Sequence, residues 1–145
     1  MREVRKQALV PHSAQTMFDL VNDVDAYPEF LPWCRDARVK EEGDGFRVAS
    51  IDIALAGAHK TFTTRNTLEP PERLTIDLVE GPFRHLTGEW VFDSLGEDAC
   101  KVSLCLKFEF SSSIMSMMFG PVFKQMGDTM LEAFVRRAKT LYGNR

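Results

Sequence analysis

Between Ile114 and Tyr142 the apolar positions Phe119, Phe123, Met126, Met130, Phe134, Ala138 and Leu141 recur at gaps of three or four residues, one face of an α-helix. The opposite face reads Lys124, Asp128, Glu132, Arg136 and Lys139, with Glu132 placed N-terminal to Arg136 in the favourable order. A helix this long needs a broad apolar surface to lie against, and the rest of the chain supplies it as short strands.

Arg2 to Val10 alternates weakly and stops at Pro11, which has no N–H to donate, so the pattern predicts a strand. Ser13 stands as an N-cap before Met17, Phe18, Leu20 and Val21, a short helix that ends at Asn22-Asp23. In Tyr27-Pro28-Glu29-Phe30-Leu31-Pro32-Trp33-Cys34 the two prolines allow one helical turn followed by an extended piece. From Ala37 onward, turn signals separate strand-like runs: Glu42-Gly43-Asp44-Gly45, Ala56-Gly57-Ala58, Pro70-Pro71-Glu72, Gly81-Pro82 and Ser94 to Asp98. Turns at this regular spacing predict consecutive antiparallel hairpins. The last two strands alternate most clearly, with Leu86, Gly88, Trp90 and Phe92 on one face, and Val102, Leu104, Leu106, Phe108 and Phe110 likewise. In the Phe46 strand the apolar parity changes after Val48, to Ile51, Ile53 and Leu55, which predicts a bulge near Ala49-Ser50. Ser111 to Ser113 offer caps for the last helix, and Gly120-Pro121 predicts a kink, or a short helix with the main one starting at Pro121.

The order is therefore β-α-α-β-β-β-β-β-β-α. This is an α+β domain in which a curved antiparallel sheet of about seven strands grips the long C-terminal helix on its concave face. At 145 residues it reads as a single domain, 1–145, large enough to fold without metal or disulfide staples. The 18 basic and 21 acidic residues leave a net charge of -3, which argues against a dominant nucleic-acid surface, and no DNA partner is expected. Cys34, Cys100 and Cys105 lack CxxC spacing and read as buried reduced thiols, which fits a reducing cytoplasm. No targeting segment follows the charged N-terminus, and no apolar run approaches the roughly 20 residues that span a bilayer. A cytoplasmic protein is expected, with any membrane contact peripheral, at the inner membrane.

The order of elements resembles the helix-grip fold of START-like lipid-transfer and polyketide-cyclase-type domains. The stretch from Tyr27 to Cys34, Gly81-Pro82-Phe83 with Trp90 following, and the Phe108/Phe110 strand leading into a Met-rich helix with Ala133-Phe134 and Arg137-Ala138 are similar to the coenzyme-Q-binding branch of that family. Bacterial members of the branch include ribosome-association toxins of the RatA type. The likeness covers nearly the whole chain, and Pro121 departs from the family pattern.

Sheet, front segment and helix together present Leu31, Trp33, Phe62, Leu86, Trp90, Phe108, Phe119, Phe123, Met126, Met130 and Phe134. From the residues alone these are packed core or the lining of a site, and composition favours core. The resemblance reverses that balance, because it implies a cavity between sheet and helix for a hydrophobic ligand, ubiquinone or another isoprenoid lipid. It also implies a ribosomal subunit as the alternative partner. A quinone ring would need one or two hydrogen-bond donors, and Thr64, Arg65, His85 and Lys60 are the candidates. Met115, Met117, Met118 and Phe119 form either core or a mobile, membrane-touching lid hinged at Gly120-Pro121. Arg136, Arg137, Lys139 and Arg145, with Arg2, Arg5 and Lys6, would make a local basic face if the termini lie together.

Catalytic constellations are thin. His12, His59 and His85 lie far apart with no metal-ligand spacing, and no GxSxG, P-loop or GxGxxG occurs. Asp52 reads by strand period as outward-facing, against the alternative of a general base in a cavity. No enzyme, metal or bound cofactor is expected.

Overall fold

The computed structural model describes residues 2–55 and 58–143, without the side chains of Leu55 and Ala58. The predicted turn at Ala56-Gly57 and Arg145 of the anticipated basic face lie outside the described residues. Strand β1 (Arg2–Val10) is followed by helix α1 (Ala14–Asn22) and a 3-10 turn (Val24–Glu29). Then come β2 (Cys34–Gly43), β3 (Phe46–Leu55), β4 (Ala58–Glu69), β5 (Arg73–Glu80), β6 (Phe83–Ser94), β7 (Cys100–Phe110) and helix α2 (Ser113–Tyr142). One antiparallel sheet holds all seven strands in the order β1-β7-β6-β5-β4-β3-β2, so every hairpin pairs neighbours and β1 closes onto the last strand.

Local chemistry accounts for the elements. The Ser13 hydroxyl accepts from the Thr16 amide at 3.1 Å, and the Ser112 hydroxyl accepts from the Met115 amide at 3.1 Å, each satisfying an orphan N–H at a helix start. Along β7 fully buried residues alternate with more exposed ones from Cys100 to Phe110, and register sets Leu86 opposite Phe108 and Trp90 opposite Leu104. These pairs make the apolar concave face against which α2 lies.

Curvature comes from extra residues at different places than the apolar parity suggests. Strand β3 pairs with β4 without interruption from Phe46 to Leu55, so the bulge expected near Ala49-Ser50 is not in β3 but across from it in β2, where Lys40 is the extra residue facing Val48-Ala49. The register of β2 also shifts around Arg35, and further shifts fall at Val79 and Arg84. The parity change has another cause: Phe46 shares the outer face with Arg65, whose guanidinium lies 3.9 Å from the ring centroid and covers it.

Helix α2 is continuous over 30 residues with Pro121 inside it, so the short-helix alternative does not hold. Pro121 removes the amide that would bond the Met117 carbonyl. That lost bond falls where the Met117 side chain is 79% exposed, not in the packed part of the helix. Beyond it, α2 runs alongside β1 in the same direction. A Cβ on Gly120 would stand 3.1 Å from Arg2 Nη1, one on Gly127 would stand 2.8 Å from Val4 Cγ2, and Asp128 faces Lys6 at 3.8 Å. The helix ends beside His12, whose ring is 6.0 Å from that of Tyr142. Arg137 ties it to the front segment, donating to Glu29 at 3.0 Å with its guanidinium 5.1 Å from the Phe30 ring.

A closed apolar cavity between sheet and helix

Because residues of one strand face share a parity, the β3–β4 register sets Ala49 opposite Thr64 and Ile51 opposite Phe62 on the concave side. These four line a cavity with Asn66, Leu74, Ile76, Leu86, Trp90 and Leu106 from the sheet. Phe123, Met126 and Met130 close it from α2, and Val24, Tyr27 and Trp33 close it from the front. Its volume is about 60 Å³, far below the roughly 300–1,000 Å³ of a small-molecule pocket. Sheet and helix therefore meet almost completely.

Seven of the eleven residues expected at a site lie on this lining: Trp33, Phe62, Leu86, Trp90, Phe123, Met126 and Met130. The other four are buried elsewhere in the core. Phe134 meets the rings of Tyr27, Phe30 and Trp90 edge-to-face at 5.1–5.3 Å, and Phe108 packs among Phe83, Phe110 and Phe123. Leu31 and Phe119 are 1% and 2% exposed. Their aromatic and aliphatic neighbours leave them no open side.

Of the four proposed donors only Thr64 reaches the cavity; Lys60 and His85 are exposed, and Arg65 covers Phe46 on the outer face. The polar residue that sequence reasoning passed over is Asn66. Its even parity with Phe62 and Thr64 was the signal, hidden because Arg65 and Thr67 flank it and no apolar alternation marks that end of β4. Asp52 lies on the outer face with Thr61, accepts from its hydroxyl, and stands 3.6 Å from Arg38.

The anticipated basic face is broken up. Arg2 donates to Ser116, Arg5 pairs with Glu3, Lys6 with Asp128, Arg136 with Glu132 and Arg137 with Glu29. Since α2 runs along β1, roughly 24 Å of helix separates Arg136 from the Arg2 end, at about 1.5 Å per residue. The Met-rich cluster divides in the same way: Met117 and Met118 are 79% and 51% exposed beside Ile114, whereas Phe119 is buried in the core.

Burial dominates the titration of the core. It pushes the Cys34 thiol up to about 12 and the Cys100 thiol up to about 11, with Asp36 and Asp52 adding to the first and Asp93 to the second. Burial, then Cys34 and Asp23, also raise the Tyr27 phenol, whose hydroxyl donates to the Val21 carbonyl. All three groups keep their protons longer folded than unfolded. The unfolded chain therefore binds fewer protons once pH passes the ordinary thiol value of 9.0, and stability falls from there upward. Urea midpoints are expected to be level near neutrality and to drop from about pH 9; a midpoint that stays level through about pH 11 would contradict this burial.

Among the described residues no group of three or more His, Cys, Asp or Glu side chains could hold a metal ion. Among them, too, no helix is long and apolar enough to cross a membrane.

Comparison with known proteins adds four findings. The family described as polyketide cyclase / dehydrase and lipid transport matches residues 10–135. A Vibrio cholerae protein named ribosome association toxin RatA is 50% identical over 143 residues, covering 99% of both chains. A Xenopus laevis protein named coenzyme Q-binding protein COQ10 homolog B, mitochondrial, is 26% identical over 97% of this chain and 59% of its own. In structure, the ZhuI aromatase/cyclase from a Streptomyces species superposes with a TM-score of 0.84 over 99% of both chains at 21% identity, a likeness of fold alone.

Proposed function

The chain belongs to the polyketide cyclase/dehydrase and lipid transport family, and from that premise we propose that it acts on the bacterial ribosome as a toxin of subunit association. The observation that carries this reading is the 50% identity to a protein so named, over 99% of both chains. Contact is expected to rest on shape and on neutral groups more than on charge, because the chain carries a net charge of -3 and Arg5, Lys6, Arg136 and Arg137 each stand beside an acid, which leaves Lys124 and Lys139 as the exposed α2 cations without one among the described residues. Its affinity should therefore fall only shallowly with salt.

The test uses purified protein added to separated small and large ribosomal subunits, followed by gradient sedimentation. The protein is expected to travel with one free subunit and to hold back re-formation of whole ribosomes. Whole ribosomes re-forming unchanged in an excess of protein would reject the reading.

A second, compatible reading is non-enzymatic binding of a hydrophobic ligand, an isoprenoid quinone above all. It is favoured by the cavity, where two flexible methionines and a polar Thr64-Asn66 pair face apolar walls. A volume of about 60 Å³ admits no such ligand as it stands. Entry requires Met126 and Met130 to turn aside, or the first turns of α2 to swing at Gly120-Pro121 with the exposed Ile114, Met117 and Met118 as the lid against a membrane surface. A tail would gain roughly 0.8 kcal/mol per buried CH₂. Organic extraction of the protein from its own host, with mass spectrometry, is expected to yield near-stoichiometric quinone; protein that emerges empty would reject this second reading.

A further inference from the structure

We infer that Asn66 seats a carbonyl oxygen, so that the cavity takes an uncharged, apolar molecule carrying one carbonyl acceptor. The inference rests on the ligand-binding reading above and names the chemistry of that site. Asn66 is 7% exposed, on the concave face of β4. The Thr64 hydroxyl, 4% exposed, donates to the Asn66 side-chain oxygen at 2.9 Å. That bond occupies the acceptor end of the amide and leaves the Nδ2 group as the leading atom. Among the described residues Nδ2 has no hydrogen-bond partner, yet it is not sealed from the cavity that Asn66 lines. Across the sheet its neighbours are Ile76 on β5 and Arg47 on β3, whose guanidinium is taken up by the Asn22 carbonyl and Glu42, and Leu74 also stands on the wall.

Two donor hydrogens in such surroundings are costly until an acceptor meets them. The two hydroxyls of the wall are already engaged, Tyr27 donating to Val21 and Thr64 to Asn66, and the indole N–H groups of Trp33 and Trp90 are donors as well. No charged side chain lines the cavity among the described residues, so a carboxylate or phosphate would arrive without a counter-charge. A neutral acceptor is what remains. With Thr64 holding the amide oxygen, a carbonyl suits the free Nδ2 better than a hydroxyl that must find an acceptor.

A pair of ligands that differ only in the carbonyl tests this: octanophenone and octylbenzene. Binding is read from the fluorescence of Trp33 and Trp90, the chain's two tryptophans, both on the cavity wall. The natural chain is expected to prefer the ketone about tenfold, the size of one neutral hydrogen bond. Asn66→Leu should abolish that preference, so that ketone and hydrocarbon bind alike. Asn66→Ala, which removes the amide without adding a charge, should do the same and serves where the leucine variant fails to fold. A ketone preference that survives in the folded variant overturns the inference. So does a natural chain that binds both ligands equally, although the ligand-binding reading then stands. A natural chain that binds neither overturns both.

Discussion

Replacing Phe134 with alanine is expected to cost about 3–5 kcal/mol, the range for truncating a buried aromatic that leaves a cavity behind. Phe134 is 1% exposed and joins three parts of the fold: its ring meets Tyr27 and Phe30 of the front segment and Trp90 of β6, from its own place on α2. Each edge-to-face pair contributes about 0.5–1.5 kcal/mol beyond the area it buries. A domain holds only about 5–15 kcal/mol in all, so this single change removes a large share of the total. Phe134→Arg adds an unpaired charge in the same place and should yield no folded protein. Urea unfolding reads the alanine variant: the midpoint falls sharply while the slope stays the same. A loss below about 1 kcal/mol would mean that helix and front segment close on each other by other contacts. Met130→Ala is the control, since Met130 is only half-buried and its truncation should cost less.

Gly127→Val is expected to destabilise by about 1–3 kcal/mol through overpacking. A Cβ at Gly127 would already stand 2.8 Å from Val4 Cγ2, and Val4 has a short branched side chain with little room to turn aside. The strain would fall on β1, an edge strand held on one side by β7. Gly127→Ala should cost less, because alanine gains up to about 1 kcal/mol of helix propensity over glycine. Val4→Ala should recover much of the valine variant's loss, and thermal unfolding of the four combinations measures that coupling. If the two substitutions simply add, α2 does not rest on β1 at this point.

How much of this was legible differs from residue to residue. In the α2 stripe, Phe119, Phe123, Met126, Phe134 and Ala138 are buried as their spacing predicts, while Leu141 is 49% exposed near the end of the helix. The alternation in β6 and β7 named the concave face correctly, from Leu86 to Phe92 and from Val102 to Phe110. Phe46 misled for a physical reason: alternation assumes that apolar means inward, and an arginine on the neighbouring strand can cover a ring from outside. The basic residues near the two termini misled because closeness at the ends of a chain is not closeness in space. The direction in which α2 lies along β1 placed Arg136 far from Arg2.

Taken alone, then, the sequence determined the elements, their order, the family, and which faces of the last strands and the long helix are apolar. The elements, their order and their apolar faces follow from short-range periodicity and capping, which act within a few residues; the family followed from the resemblance carried by stretches such as Tyr27 to Cys34. Only the tertiary structure decided how nearly the sheet and helix close on each other, which aromatic side chains line the remaining 60 Å³ and which merely pack, and that Asn66 stands on that wall. Cavity volume is a small difference between large packed volumes. It depends on side chains from six elements and the front segment meeting in three dimensions, and no local pattern along the chain carries that difference.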